Sequence, residues 1–99
     1  MVRIAFDPAK RAAVLETRGI DMGDAANVFA GECVTRFDDR FDYPEHRYQT
    51  VGRLAGRFVL IAWTPDGETR RVITMRYCHA KEVRKIRRLF PLAFGDEAG

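Results

Sequence analysis

Cysteine is scarce in this chain of 99 residues, and the two that occur, Cys33 and Cys78, form no CxxC pair. Two such thiols give no disulfide framework, which favours a protein of a reducing compartment. Long apolar runs are also lacking, because the longest, residues 58–63, is far too short to cross a membrane. Residues 2–8 do not have the pattern of a signal peptide. We therefore expect a cytoplasmic protein that does not enter a membrane.

Glycine-rich phosphate loops and metal-binding spacings are absent from the sequence as well. The stretch from Gly52 to Gly56 has turn chemistry rather than the pattern of a phosphate loop. Cys78-His79 with the distant Cys33 lacks the spacing of a structural zinc site. Neighbouring Cys and His side chains are also poorly placed to act as nucleophile and base. The sequence therefore predicts no metal site and no cofactor.

Basic charge is what the second half of the chain has in excess. Residues 1–50 carry seven Lys or Arg and nine Asp or Glu, whereas residues 51–99 carry ten and five. The density is highest in residues 70–90, which hold eight basic side chains and one acidic one. Such asymmetry is typical of proteins that bind a polyanion with one face, although a solvated basic helix gives the same pattern.

Hydrophobic periodicity and turn residues predict a single α+β domain over residues 1–90 and a flexible tail over 91–99. We expect an antiparallel sheet of four or five strands, two helices after the first strand and one helix at the C-terminus. Helix starts are indicated by an Asp that precedes Pro and by a second Asp, and helix ends by glycines. The predicted strands are 2–6, 33–37, 47–53, 57–64 and 70–76, the helices span 7–19, 21–31 and 79–90, and a hairpin turn lies at 65–67.

The strand predicted at 70–76 carries three arginines, and alternation assigns them to faces. Its even-numbered residues should lie on one face and its odd-numbered residues on the other. Ile73 and Met75 predict that the odd face packs on the core. Arg71 would then emerge at an edge or in a cleft, whereas Arg76 would lie on the opposite face.

A second group of polar residues surrounds the strand predicted at 47–53. Arg47 and Arg53 share a face of this strand unless Gly52 marks a bulge. Several guanidinium groups on one sheet surface can hold a phosphodiester and stabilise a developing charge, although surface ion pairing is the alternative for each. Glu45 is either a general base or a group that orients Arg47, and His46 is expected to point the other way.

Five segments together carry a family resemblance through their order and spacing. They are Phe6-Asp7-Pro8-Ala9-Lys10, Gly19 followed by Ala25-Ala26-Asn27-Val28-Phe29, Glu45-His46-Arg47-Tyr48-Gln49-Thr50-Val51-Gly52-Arg53, Thr64-Pro65-Asp66-Gly67, and Arg71-Val72-Ile73-Thr74-Met75-Arg76 with Glu82. In these segments the chain resembles the BrnT toxins of type II toxin–antitoxin operons, from about residue 4 to residue 88.

The resemblance implies a fold and a function together. It implies a RelE-like sheet with flanking helices, and a toxin that cleaves RNA and inhibits translation. The implied partner is a BrnA-like antitoxin with a ribbon-helix-helix part, which neutralises the toxin and binds operator DNA in the complex. RNA cleavage of this kind needs no metal, because the ribose 2′-hydroxyl attacks the adjacent phosphate.

The resemblance and the residue patterns together give a set of candidate site residues. Arg53, Arg71 and Arg76 are predicted to bind phosphate or to stabilise charge in the transition state, and Glu45 is the predicted base. Tyr77 is a candidate for stacking on a base. The predicted RNA-binding residues are Arg47, Lys10, Tyr77, Lys81 and Arg84.

Some positions depart from the family pattern. Val14 stands where the family has Asn, and residues 17–19 read Thr-Arg-Gly rather than Lys-His-Gly. The last strand ends in Tyr77 and His79 where the family has Lys and Thr, so His79 with Glu82 makes a poorer capping box. These departures keep two alternatives open, a non-catalytic module that binds nucleic acid or a partner, and a toxin inactivated by drift.

Overall fold

The computed structural model of the chain describes residues 2–94. Within this range the chain forms five strands and four α-helices, with a 3₁₀ turn at Met22–Asp24 before the second helix. In chain order the elements are β1 (Arg3–Ala5), α1 (Pro8–Arg18), α2 (Ala25–Ala30), β2 (Cys33–Phe37), β3 (Tyr48–Leu54), β4 (Arg57–Asp66), β5 (Thr69–Tyr77), α3 (Ala80–Leu89) and α4 (Pro91–Phe94).

The five strands form one sheet in the order β1-β5-β4-β3-β2. Neighbouring strands are antiparallel except for β1, which runs parallel to β5. The predicted α+β class is confirmed, but the expectation of a wholly antiparallel sheet is wrong at β1. A strand of three residues is too short for its own pattern to reveal which strand it pairs with or in which direction.

The predicted helix starts and ends follow from local side-chain chemistry. The Asp7 carboxylate accepts a hydrogen bond from the Ala9 amide at 2.9 Å, and Gly19 ends α1 in the left-handed conformation with φ of 70°. Asp21 accepts from the Gly23 amide at 2.8 Å. This cap opens the 3₁₀ turn rather than one continuous helix, so α2 begins later than predicted.

The C-terminal part contains two helices where one was predicted. Pro91 disfavours helical geometry at Phe90, which separates α3 from α4. Phe94 at the end of α4 is buried, and its ring packs edge-on against Phe58 at 5.1 Å. The predicted tail therefore begins with a helical turn at Pro91–Phe94, and the rest of it, residues 95–99, lies outside the described residues.

Both hairpins of the meander have two-residue turns. The turn between β3 and β4 consists of Ala55 and Gly56, both with positive φ, which matches the right-handed twist of the strands. The next turn consists of Gly67 and Glu68. The predicted turn at 65–67 is therefore displaced, because Pro65 and Asp66 still pair within β4.

The main core lies between the sheet and the N-terminal helices. Its sheet side is formed by residues in β4 and β5, and its helical side by residues around α1 and α2. We call this side of the sheet the covered face; its buried members on β4 and β5 are Val59, Ile61, Trp63, Val72 and Met75.

Candidate nucleic-acid interface

A β-bulge in β5 decides which arginines share a face of the sheet. Ala62 pairs with Thr74 whereas the next residue, Trp63, pairs with Val72, so Ile73 is the extra residue. Val72 and Met75 both face the core as a result. The prediction that Ile73 shares the core face with Met75 is therefore wrong, because strict alternation does not survive a bulge.

The bulge brings Arg71 and Arg76 onto one face, opposite the core. Arg71 pairs with Thr64 and Arg76 pairs with Leu60, and these two β4 residues lie on the same side of their strand. We call this side the arginine face. Strict alternation would have separated the two arginines.

Small side chains lie between the two arginines. Ala62 and Thr74 form the cross-strand pair between the Arg71 and Arg76 positions. Four residues of β4 separate those positions, which corresponds to roughly 13 Å along the strand. The arrangement leaves a shallow floor with an arginine at either end, a spacing suited to two phosphates of one strand that are not adjacent.

Arg36 on β2 joins the same face and was not predicted from the sequence. It pairs with Gln49, and its Nε and Nη2 donate to the Gln49 side-chain oxygen at 3.0 and 2.8 Å. Gln49 pairs with Ala62, so Arg36 lies in the row that forms the floor. The spacing of residues within β2 gave no sign of this, because the register between β2 and β3 depends on the loop that joins them.

Arg76 is held by Glu82 in the first turn of α3. Its Nη1 and Nη2 donate to the two carboxylate oxygens of Glu82, both at 2.8 Å, and Nη1 lies 3.3 Å from the Tyr77 carbonyl oxygen. Glu82 also accepts from the His79 amide at 3.1 Å, which is one half of a capping box. The hydrogen bonds from Arg76 lower the pKa of Glu82 to about 2, and the bond from the His79 amide adds to this effect. Partial burial acts in the opposite direction. The bonds with Glu82 raise the pKa of Arg76.

Glu45 and Arg47 form a pair just before β3. The Nε of Arg47 donates to a Glu45 carboxylate oxygen at 2.8 Å, and the guanidinium lies 4.1 Å from the centre of the Tyr43 ring. The Arg47 carbonyl accepts from the Asp38 amide, which extends the β2–β3 ladder by one step. Alternation from Gln49 places Arg47 on the arginine face. Of the two roles predicted for Glu45, orienting Arg47 is the one the geometry supplies directly.

The loop between β2 and β3 is fixed by a buried carboxylate. Asp38 is 4% exposed and accepts from Arg40 Nε at 2.9 Å, Arg40 Nη2 at 3.0 Å and the Tyr43 hydroxyl at 3.2 Å. These bonds, the Arg40 side chain foremost, lower the pKa of Asp38 to about 2. The loop therefore holds a second close arginine–carboxylate pair, Arg40 with Asp38, directly after β2.

Arg53 lies at the far end of the arginine face. It pairs with Phe58, and its guanidinium packs over the rings of Phe58 and Phe94 at 5.1 and 5.7 Å. Six residues of β4 separate Phe58 from the partner of Arg71, roughly 20 Å along the strand. The structure therefore does not bring Arg53 together with Arg71.

The other predicted RNA-binding residues are dispersed over the molecule. Tyr77 pairs with Val59 on the covered face, and Arg57 stacks on its ring at 3.6 Å. Lys10 is exposed on α1, the helix that packs against the covered face. Lys81 and Arg84 are exposed on α3 and line an open basic depression.

The histidines and cysteines do not form a reactive cluster. The ring of His46 packs edge-on against Phe37 at 5.7 Å. Partial burial raises the pKa of Cys78 to about 11, so this thiol is protonated at neutral pH. Among residues 2–94, no three His, Cys, Asp or Glu side chains are arranged to hold a metal ion. No helix in the same range is long and apolar enough to span a membrane.

These features define a class of protein before any comparison is made. A small α+β domain with arginines gathered on a sheet face that α3 and α4 cover only in part is a domain built to hold a polyanion. A family model described as the ribonuclease toxin BrnT, of type II toxin–antitoxin system, matches residues 6–82. The chain belongs to this BrnT family. No curated protein matches it.

Family membership gives the arginine face a context. The chain is a ribonuclease toxin of a type II toxin–antitoxin system, which implies RNA as substrate and an antitoxin as partner. The match runs from just before α1 to Glu82, and so contains Arg36, Arg71, Arg76 and the carboxylate that holds Arg76.

Proposed function

We propose that this chain cleaves RNA on the arginine face without a metal ion, and that the cleavage inhibits translation until an antitoxin binds. The observation that carries the proposal is the bulge at Ile73, which sets Arg71 and Arg76 on one face around the floor of Ala62 and Thr74. Five arginines surround this floor, namely Arg36, Arg47, Arg71 and Arg76 and, from α1, Arg18. The Nη1 of Arg18 donates to the Thr74 hydroxyl at 3.0 Å and to the Met75 carbonyl at 2.8 Å.

The reaction is an internal transfer at phosphorus. The ribose 2′-oxygen forms a bond to the adjacent phosphorus while the bond to the 5′-oxygen of the next nucleotide breaks. One proton leaves the 2′-hydroxyl and one reaches the departing 5′-oxygen, so the products are a cyclic phosphate and a free 5′-hydroxyl. Positioned guanidinium groups stabilise the charge that grows on the phosphate oxygens.

Arg76 is fixed by bonds to α3 and to the backbone of its own strand. Glu82 and the Tyr77 carbonyl occupy three of its five N–H groups. The two that are left, on Nε and Nη2, lie along one edge of the guanidinium plane and match two oxygens of a phosphate. We assign this edge to the scissile phosphate and Arg71 to a phosphate further along the same strand.

Glu45 remains the candidate for the base, with Arg47 as the residue that orients it. The Arg47 Nε bond fixes one carboxylate oxygen of Glu45. The β3–β4 pairing ends at Tyr48 and Trp63, next to Thr64, the partner of Arg71, and the Thr64 hydroxyl donates to the His46 carbonyl. These contacts support a place for the Glu45–Arg47 pair at the Arg71 end of the floor.

The partner we propose is a BrnA-like antitoxin with a ribbon-helix-helix part. Its binding would cover the arginine face and block RNA, and the complex would bind operator DNA mainly through the antitoxin. Operator binding by the purified toxin alone, as tight and as specific as by the complex, would contradict this division of roles.

The test compares Arg71→Ala and Arg76→Ala with Arg84→Ala, an exposed arginine of α3. Cleavage of a mixed-sequence RNA is measured in excess EDTA, with growth arrest and the rate of protein synthesis in cells as further readouts. We expect losses of about 100-fold or more for the first two variants and a few-fold for the control. Equal, mild effects in folded variants would favour a non-catalytic binding module, and cleavage that EDTA abolishes would contradict metal independence.

A further inference from the structure

A groove separates α3 from the arginine face next to Arg76. It has a volume of about 230 Å³. Its walls are mainly apolar, and its only aromatic ring among the described residues is Phe90. The apolar lining consists of Val34, Val51 and Leu60 from the sheet, and Ile86, Leu89 and Phe90 from the end of α3.

The groove exists because α3 is tied to the sheet at its start and lies loosely along it. None of the residues of α3 is buried. The Arg76–Glu82 pair anchors its first turn, whereas Leu89 and Phe90 near its end are 55% and 41% exposed. Apolar side chains that are left half exposed around a concave space provide a preformed site.

The groove also has a polar edge that can form directional bonds. Gln49 is 6% exposed, and its side-chain oxygen accepts both bonds from Arg36. The Gln49 amide nitrogen and the Nη1 of Arg36 have no hydrogen bond within the described residues and remain as donors at this edge. Lys85 adds a positive charge on the α3 side.

The groove is continuous with the guanidinium group that we assign to the scissile phosphate. Leu60 is the cross-strand partner of Arg76, and Val51 and Val34 follow in the same row. Neighbouring strands lie roughly 5 Å apart, so the apolar floor extends from roughly 5 to 15 Å from the Arg76 strand. A phosphate on Arg76 and the base of the same or the next nucleotide would span this distance.

We propose that the groove binds one unstacked nucleobase of the RNA substrate. The base would pack between Phe90 and the floor of Val51 and Leu60, with its edge bonded to Gln49 and Arg36. The proposal rests on the proposed function, because it takes the phosphate to lie on Arg76. It assigns sequence preference to the groove rather than to the open arginine face.

The alternative occupant is an apolar side chain of a protein partner. A volume of about 230 Å³ is on the scale of a single ring system rather than of the apolar face of a helix. The rim of the groove carries the positive charges of Arg36 and Lys85 and also the Glu82 carboxylate, whose charge is paired with Arg76. The excess of positive charge suits a base that arrives on a polyanionic strand. Binding of a protein partner in the groove is therefore treated as one of the results that the experiment can give.

The experiment measures binding of a short single-stranded RNA in which 2′-O-methyl groups block cleavage. An abasic nucleotide is placed at each position in turn. For the wild-type chain we expect one position at which loss of the base weakens binding about 10-fold, the scale of one base–aromatic contact. Phe90→Ala should weaken binding of the intact RNA by about as much and show no further loss at that position.

Two variants complete the design. Leu92→Ala is the matched control, because Leu92 is 101% exposed and does not line the groove. Val34→Phe narrows the groove from the sheet side and should reproduce the effect of Phe90→Ala. Agreement between the two variants would exclude a local structural change at the end of α3 as the cause. Folding is confirmed by circular dichroism for every variant.

Each outcome separates the two proposals. An abasic penalty that is equal in the wild type and in Phe90→Ala overturns the groove, as does a uniform profile in the wild type. Groove variants that keep the wild-type profile but escape neutralisation by an antitoxin would assign the groove to a protein partner and overturn the base site. Failure to cleave ordinary RNA would contradict the proposed function instead, and the binding measurement does not depend on it.

Discussion

Arg76 and Glu82 form a two-bond ion pair that joins β5 to the first turn of α3. The pair does two things at once. It fixes the plane of a guanidinium on the arginine face, and it anchors a helix that buries none of its own residues. A planar fork bonded at both Nη atoms loses little further freedom when a phosphate binds its remaining edge.

The first prediction removes the charge of Glu82 but keeps its shape. In Glu82→Gln the amide oxygen still accepts from the His79 amide and from one Nη of Arg76, but as a neutral acceptor. The amide nitrogen cannot accept the bond from the other Nη, so that bond is lost. We expect kcat for RNA cleavage to fall about 10-fold with a smaller change in KM, because the guanidinium is no longer fixed for the transition state.

Glu68→Gln is the control for that substitution, since it removes an equal charge from an exposed turn residue. Faster cleavage by Glu82→Gln than by the wild type would mean that Glu82 masks Arg76 rather than positions it.

The second prediction concerns acid. Asp38 and Glu82 both have a pKa lowered to about 2 in the folded chain. A carboxyl whose folded pKa lies below its unfolded value stabilises the fold above the unfolded pKa, and this contribution is lost as the pH falls through the folded pKa. We expect the free energy of unfolding to decline from about pH 5 to pH 2.

Asp38→Asn should flatten that decline and cost about 1–3 kcal/mol at pH 7, because the bonds from Arg40 and Tyr43 lose a charged acceptor. Urea unfolding at a series of pH values measures both effects. An unchanged slope with pH in this variant would show that Asp38 does not contribute to it.

The third prediction concerns the contact between α2 and β3. A methyl group added at Gly52 would lie 2.6 Å from Val28 Cγ1, a distance that requires the buried helix residue to shift. Gly52→Ala should therefore destabilise the fold by about 1–3 kcal/mol. Gly31→Ala is the control, because its nearest neighbours would lie at 3.8 Å. Thermal unfolding of both variants measures this difference in stability. Equal melting temperatures would contradict the close approach of Gly52 to Val28.

The fourth prediction separates screened attraction from site chemistry. Arg84 and Arg88 are exposed on α3. Replacing either by Ala should weaken RNA binding a few-fold at low salt and reduce the slope of log Kd against log salt by about 0.7. Arg87 is a poor choice for this purpose, because its guanidinium packs over Phe58 at 5.4 Å. A salt slope equal to that of the wild type would mean that these side chains do not contact the phosphates.

The local signals in the sequence predicted most of the elements. Asp7 and Asp21 cap where expected, and the meander of β3, β4 and β5 follows from apolar runs and turn glycines. These features depend on neighbouring residues alone. The direction of β1 depends on the strand with which it pairs, and the split between α3 and α4 depends on a single proline. Hydrophobic periodicity contains no information on either.

The site was predicted in part, and for a physical reason. Arg71 and Arg76 were chosen as a pair, although alternation assigned them to different faces, and only the bulge at Ile73 brings them together. Arg36 was missed because its place depends on the register across a ten-residue loop, and Arg53 lies at the far end because register also sets distance along the sheet. The chemistry of a side chain can be predicted from the sequence. The register of a strand depends on two segments that are distant in the chain, so neither segment alone predicts it.

The bulge at Ile73 makes the number of residues between Arg71 and Arg76 as important as their identity. The two arginines are five residues apart, an odd offset that keeps them on one face only while Ile73 bulges. Regular pairing of all these residues would turn one arginine toward the hydrophobic core, whereas deletion of Ile73 would leave an even offset with both on the arginine face. Substitutions between Arg71 and Arg76 leave their offset unchanged, so we expect them to reduce RNA cleavage gradually rather than abolish it. A variant that lacks Ile73 would therefore carry both arginines on one face of a regular strand, and its rate of RNA cleavage would show whether the bulge does more than align them.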